Sequence, residues 1–114
     1  MKRFCSFWSM HRTSDGKDII EHDGLTDGKF NFYQDNLNVW WAIDPACGVG
    51  VCHADSFDEV VLQVYSDRIM KMFDEYMNTS EYAERVGNFN RLLGEHGVEI
   101  PSASAEFNFE AVFS

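Results

Sequence analysis

The chain has 114 residues and a formal net charge of -10, from 19 acidic and 9 basic residues. That length fits a single domain and is too short for two ordinary ones, and 45% hydrophobic with 25% charged residues is the composition of a folded chain. A field of this sign repels nucleic acid and anionic lipid and attracts basic surfaces. We therefore expect a basic protein as partner, with no direct binding to nucleic acid or membrane. The alternative is that the charge serves only to keep the protein soluble.

The chain opens with a segment that alternates like a strand. Over residues 3–11, Trp8 lies on one face and His11 on the other. Residues 12–28 contain Asp-Gly three times, which is typical of turns because glycine tolerates a positive φ. We predict a turn-rich segment there, with no more than a short strand over residues 18–21.

Aromatic and β-branched residues then predict three further strands, over residues 29–34, 38–43 and 49–53. The last two are joined by Asp-Pro-Ala-Cys-Gly. Pro45 presets the φ of the second turn position, and Gly48 can adopt the left-handed conformation. This chemistry predicts a hairpin built on a type I turn with a bulge.

The second half of the chain changes to a helical period. Ser56 and Glu59 have the spacing of a capping box, and apolar residues then recur every three or four positions. We predict one helix over residues 56–78, followed by a second over residues 79–93 that stops at Gly94.

The end of the sequence alternates again, with phenylalanines on one face, and predicts a strand that closes the sheet. The predicted fold is one α+β domain over residues 1–114, with a mostly antiparallel sheet of four to five strands packed against two helices. The predicted strands are residues 3–11, 29–34, 38–43, 49–53 and 105–113.

The search for catalytic or metal-binding patterns leaves one weak candidate. Cys47, Cys52 and His53 contain zinc-ligand residue types, but the spacing is loose and a second ligand pair is lacking. Neighbours on a strand also face apart, so we expect Cys47 in a turn, Cys52 buried and His53 exposed. No nucleophile elbow, phosphate loop or calcium loop is present. We predict a protein that is not an enzyme and needs no metal or other cofactor.

The three cysteines are an odd number, which does not suit a disulfide framework. The N-terminal residues lack the apolar run of a signal peptide, and no stretch is long and apolar enough for a membrane span. We expect a cytoplasmic protein, in the host cytoplasm if it is phage-encoded, with reduced thiols.

Candidate partner-binding residues are exposed carboxylates on the two helices and tryptophans of the sheet. Acidic residues in the first turn interact well with the helix dipole without any partner, whereas acids in mid-helix need another explanation. Adjacent tryptophans on a strand must point to opposite faces. The predicted partner-binding residues are Asp67, Asp74, Glu75, Glu81, Glu84, Trp40 and Trp41.

These features favour an acidic inhibitor that binds and blocks a basic, nucleic-acid-handling protein, since spaced carboxylates can imitate backbone phosphates. In size, charge and lack of a catalytic motif the chain resembles small phage-encoded inhibitors of host defence, such as anti-CRISPR and anti-restriction proteins. An alternative is a structural or assembly module that self-associates through its apolar helix and its Phe-rich last strand, so a monomer and a homodimer both remain open. A third hypothesis is a small thiol or metal-dependent enzyme.

Overall fold

The computed structural model describes residues 4–13 and 15–98, which form one five-stranded antiparallel sheet and three helices. The predicted α+β class is confirmed, while the strand predicted over residues 105–113 lies outside the described residues. The strands are β1 (Cys5–Arg12), β2 (Ile19–Thr26), β3 (Asn31–Gln34), β4 (Trp40–Ile43) and β5 (Gly50–Ala54). The helices are α1 (Phe57–Val64), α2 (Asp67–Met77) and α3 (Ser80–Glu95).

The sheet contains one strand that the sequence analysis missed. Strand order follows chain order, and β2 pairs with β1 over eight residues. The prediction of a turn-rich segment over residues 12–28 is therefore wrong. Gly24 reads as a turn residue, but its function here is close packing: a Cβ at this position would lie 2.6 Å from the carbonyl oxygen of Phe32. The Asp-Gly at 23–24 thus belongs to a strand interior.

The β4–β5 hairpin is confirmed. The Asp44 amide donates to the Val49 carbonyl at 3.0 Å, and the Gly48 amide donates to the Asp44 carbonyl at 2.8 Å. Gly48 adopts a φ of 65°, the conformation that its place in the turn predicts. The strand register shifts between Ala42 and Ile43, which is the expected bulge.

The helix predicted over residues 56–78 is two helices. The first begins as predicted, with the Ser56 hydroxyl accepting from the Glu59 amide, but α1 ends at Val64. Ser66 is extended, with ψ 150°, and caps α2 by accepting from the Ile69 amide. Its hydroxyl also donates to the Gln63 carbonyl at 2.7 Å. A serine that bonds to the backbone on both sides competes with helical hydrogen bonding, and this accounts for the break.

The third helix, α3, ends two residues later than predicted. Gly94 lies inside it, and the stop is Gly97, whose φ is 69°. The Gly97 amide donates to the Gly94 carbonyl and the Val98 amide donates to the Leu93 carbonyl, which is the Schellman pattern. None of the described helices is both long and apolar enough to cross a lipid bilayer.

The core lies between one face of the sheet and the helices. Its centre is formed by Phe30, Phe32, Ala42, Val60, Val64 and Phe73, all buried. Each Val or Phe side chain of this set contributes roughly 1.5–3 kcal/mol of burial free energy. A second cluster joins α3 to the β1–β2 hairpin through Met10, Phe89 and Leu93. This cluster holds α3 against the hairpin, and a groove remains beside the contact, between α3 and the β1–β2 turn.

Candidate binding site

The groove is a cavity of about 820 Å³ between α3 and the turn that joins β1 to β2. Its remaining wall comes from the adjoining ends of β1 and β2, from β3 and β4, and from the β4–β5 turn. The polar and aromatic side chains that line it include His11, Arg12, Asp15, Tyr33, Trp41, Glu81, Glu84, Arg85, Asn88 and Arg91. A cavity of this size with polar groups on several elements is typical of ligand and partner-anchor sites.

Trp41 is held in a fixed orientation at this cavity. Its indole N–H donates to Oδ2 of Asp35 at 2.8 Å, and Oδ1 of the same carboxylate accepts from two amides of the β3–β4 turn. The hydrogen bond from Trp41 is the largest of several that keep the pKa of Asp35 below its usual value. The His53 ring lies 4.8 Å from the indole, centroid to centroid. The tryptophan is therefore pre-organised for contact.

Beside Trp41, two histidines stack on Tyr33 and form a hydrogen-bonded chain. Nδ1 of His22 lies 3.3 Å from the carbonyl oxygen of Asp23, which only accepts, so this nitrogen carries the hydrogen. Nε2 of His22 then accepts from Nδ1 of His11 at 3.1 Å. Nε2 of His11 in turn accepts from the Tyr33 hydroxyl at 3.2 Å. The chain is satisfied when both imidazoles are neutral.

Burial favours this neutral state. It lowers the pKa of His11 to about 4, with a further contribution from the charge of His22. Burial also lowers the pKa of His22, against the opposing effect of Asp23. The pKa of Tyr33 is raised, again chiefly by burial. At neutral pH the chain of His22, His11 and Tyr33 therefore carries no charge.

The α3 wall contains two arginines that are already paired. Arg85 contacts Glu81 at 3.2 Å and Arg91 contacts Glu95 at 3.0 Å, both as i,i+4 ion pairs. Such exposed pairs contribute less than about 1 kcal/mol to stability, but they neutralise the two guanidinium groups locally. Glu84 lies between them on the same wall, exposed, and has no hydrogen-bond or ion-pair partner within the described part of the chain.

Three of the seven predicted partner-binding residues meet at this cavity, namely Trp41, Glu81 and Glu84. The tryptophans face apart as predicted. Trp40 packs against the core, with its ring 5.0 Å from that of Phe57, so it is covered by α1 and lies away from the groove.

The other three predicted residues lie on α2. Asp74 and Glu75 are exposed, as a binding surface requires. The predicted helix over residues 56–78 puts Asp67 at mid-helix, but the break at Ser66 places it in the first turn of α2. Its carboxylate is therefore accounted for by the helix dipole, like those at the other helix starts.

The residues considered for metal binding are separated by the fold. Cys47 is buried in the turn and His53 is exposed beside Trp41, as expected. Cys52 packs against the core but is only partly buried, whereas it was expected to be buried. Cys47 donates from Sγ to Oδ2 of the buried Asp44 at 3.3 Å. Over residues 4–13 and 15–98, no three His, Cys, Asp or Glu side chains are grouped closely enough to hold a metal ion.

The thiols provide a direct test of the thiol-enzyme hypothesis. Burial, followed by the charge of Asp44, raises the pKa of Cys47 to about 12, and burial raises that of Cys52 to about 11. Cys5 is 1% exposed. Because only thiolates attack disulfides quickly, we expect the native protein to release less than about a tenth of an equivalent of chromophore from a disulfide reagent within minutes. Denaturant should expose all 3 thiols. A native thiol that reacts within seconds would identify an activated nucleophile.

The sequence analysis missed two groups at the cavity, His11 and Tyr33, and one that contacts both of them, His22. Tyr33, His11 and His22 come together only through the pairing of β2 with its neighbours, and β2 was not predicted. If residues 19–26 are treated as a strand, alternation places Ile20, His22 and Gly24 on one face of the sheet. Considering that strand would have brought His22 into the sheet.

Comparison of the chain with protein-family models, curated proteins and solved structures finds no match.

Proposed function

We propose that this protein is an acidic inhibitor that binds a basic, nucleic-acid-handling protein and blocks it, with the groove between α3 and the β1–β2 turn as the main contact surface. The observation that carries the proposal is the meeting of Trp41, Glu81 and Glu84 at one cavity. Tryptophan is among the residues enriched at binding hot spots, and carboxylates beside it attract a basic partner. A phage-encoded anti-CRISPR or anti-restriction protein acting in the host cytoplasm is the kind of inhibitor meant.

The charge distribution supports this proposal. Residues 1–30 contain five basic and five acidic residues, so the whole net charge of -10 belongs to residues 31–114. Asp74 and Glu75 on α2 add exposed carboxylates outside the groove. A negative field steers a basic partner toward the surface and accelerates association.

The test begins with partners captured from a bacterial lysate and identified. We expect a basic nucleic-acid-binding protein whose DNA or RNA binding is lost when this protein is added in stoichiometric amount. Glu84→Lys should weaken the complex by about tenfold or more, because it places a like charge against the partner. Asp74→Lys with Glu75→Lys measures the contribution of α2 separately.

The matched control is Asp58→Lys, which makes the same charge change at an exposed residue of α1 that does not line the groove. We expect this variant to bind within about twofold of the wild type, apart from a screened long-range effect. If Glu84→Lys and Asp58→Lys lose the same affinity, the loss comes from net charge in general and the groove is not the contact surface. Affinity that does not respond to salt would argue against charge-driven binding altogether.

Self-assembly is a second candidate, favoured by apolar side chains on the outer surface of the helices. Leu62 on α1 is 74% exposed and Met72 on α2 is 54% exposed. Residues 105–113, the other part of the predicted assembly surface, lie outside the described residues. Sedimentation at micromolar concentration separates the two functions, since an inhibitor of this kind needs no self-association.

A further inference from the structure

The groove has a charge balance that selects the kind of group it can hold. The cavity is lined by Arg12, Arg85, Arg91, Asp15, Glu81 and Glu84, which are formally neutral as a set. Two further carboxylates contact residues that line the cavity. Glu95 pairs with Arg91 and Asp35 accepts from Trp41. With both included, the groove and its immediate surroundings are net negative.

Two of the three arginines are also engaged, whereas one carboxylate on the same helix is available. Arg85 and Arg91 are in ion pairs on α3. The third, Arg12, is on β1 and has no hydrogen-bond or ion-pair partner among the described residues. Glu84 is exposed at the cavity with no ion pair within the described residues. On the α3 wall, the charged lining group without a partner is therefore a carboxylate, which attracts positive charge.

The rings of the groove add a preference for a flat cation. Both imidazoles lie over the same face of Tyr33, because their centroids are only 5.1 Å apart although each is 4.0–4.6 Å from the phenol. If the two imidazoles lay on opposite faces of the phenol, their centroids would be nearly twice as far apart. Tyr33 and Trp41 are cross-strand partners, so their rings lie side by side at the cavity.

We propose that this groove is a receptor for an arginine side chain of the basic partner. The guanidinium group stacks against Trp41 and Tyr33 and donates to Glu84, with Asn88 one turn further along α3. A guanidinium suits this site better than an ammonium, because it is planar, less strongly hydrated and able to donate two parallel hydrogen bonds to one carboxylate. This inference rests on the proposed function and names the chemistry that the partner must present.

The experiment uses argininamide as the probe, titrated into isotopically labelled full-length protein and followed by NMR. We expect saturable shifts of the Trp41 indole N–H and of the amides of Glu84 and Asn88. Lysinamide carries the same charge, and we expect it to bind at least about fivefold more weakly. Glu84→Gln should weaken argininamide binding by about tenfold, since a charge-assisted hydrogen bond is lost.

The matched control is Glu75→Gln on α2, which removes the same charge from an exposed helical residue outside the groove and should change the affinity by less than about twofold. Equal binding of lysinamide, or shifts spread evenly over α2 and α3, would overturn the proposal and indicate unspecific attraction to a negative surface. Saturable binding of adenosine monophosphate at these residues in place of argininamide would overturn it in favour of an anion site.

The two proposals can fail separately. If argininamide does not bind the groove but Glu84→Lys still abolishes partner binding, the inhibitor function stands and the arginine receptor is wrong. If argininamide binds the groove and no basic partner is inhibited, the receptor stands and the blocking function is wrong.

Discussion

Gly48→Ala is expected to destabilise the protein by about 3 kcal/mol. Gly48 has a φ of 65°, and a non-glycine residue in the left-handed region costs roughly 1–2 kcal/mol. A Cβ would also lie 2.7 Å from Cε1 and Cζ of Phe89. That ring is 2% exposed and packs in the cluster that anchors α3, so it has little room to move, and overpacking adds about 1–3 kcal/mol. The free energy of unfolding from urea titration measures the loss.

Gly87→Ala is the matched control and should change stability in the opposite direction. Gly87 lies within α3, and a Cβ there meets no atom within 4 Å. Replacing an unconstrained helical glycine stabilises a protein by about 0.5–1 kcal/mol. If Gly48→Ala proves as harmless as Gly87→Ala, the contact between the β4–β5 turn and α3 is not as close as described, and the groove loses its support.

Mild acid is expected to destabilise the protein through His11. Its pKa in the folded state, about 4, is below the value of 6.5 for a free histidine. The folded protein therefore binds fewer protons than the unfolded chain between these values, and stability is complete above pH 6.5 and falls toward pH 4. A tenfold change in proton affinity corresponds to about 1.4 kcal/mol. After a discount for the part of the ring in water, we expect a loss of about 2 kcal/mol.

Urea midpoints between pH 7 and pH 4.5 measure this effect above the range in which Asp15 and Asp35 titrate, since their pKa values are lowered by hydrogen bonds. His11→Gln should be less stable than the wild type at pH 7 but should show a flatter dependence on pH. His53→Gln should keep the wild-type dependence, because His53 is exposed and outside the hydrogen-bonded chain. A wild-type slope in His11→Gln would contradict the assignment.

The parts of the fold that were predicted correctly depend on local chemistry. The β4–β5 hairpin follows from Pro45 and Gly48 within five residues, and the start of α1 follows from Ser56 and Glu59. These signals act over a few residues, so no knowledge of distant packing is needed.

The two errors have different origins, one non-local and one local. Gly24 resembles a turn residue, but it is required because the backbone of β3 approaches it, a contact that the surrounding sequence does not contain. Ser66 interrupts an apolar pattern that continues on both sides, so periodicity alone predicts one long helix. Its bonds to Gln63 and Ile69 are local, but serine also occurs within helices, so its presence alone does not mark a break.

The residues of the candidate site could be predicted from local signals, but their meeting could not. Trp41 follows from strand alternation, and Glu81 and Glu84 follow from the acidic start of a helix. Their meeting at one cavity depends on the position of α3 against the β1–β2 hairpin, which the second hydrophobic cluster determines. The histidines depend on the register of β2, and no pattern within their own strands indicates that they contact Tyr33.

The agreement between strand order and chain order has a consequence for how the molecule is assembled. Each strand from β2 to β5 pairs with the strand synthesised just before it, so every ladder closes a short loop, for which the entropy cost is small. During translation the sheet can grow by one edge at a time. The helices emerge after all five strands, so their apolar sides can pack onto the sheet once its strands are available.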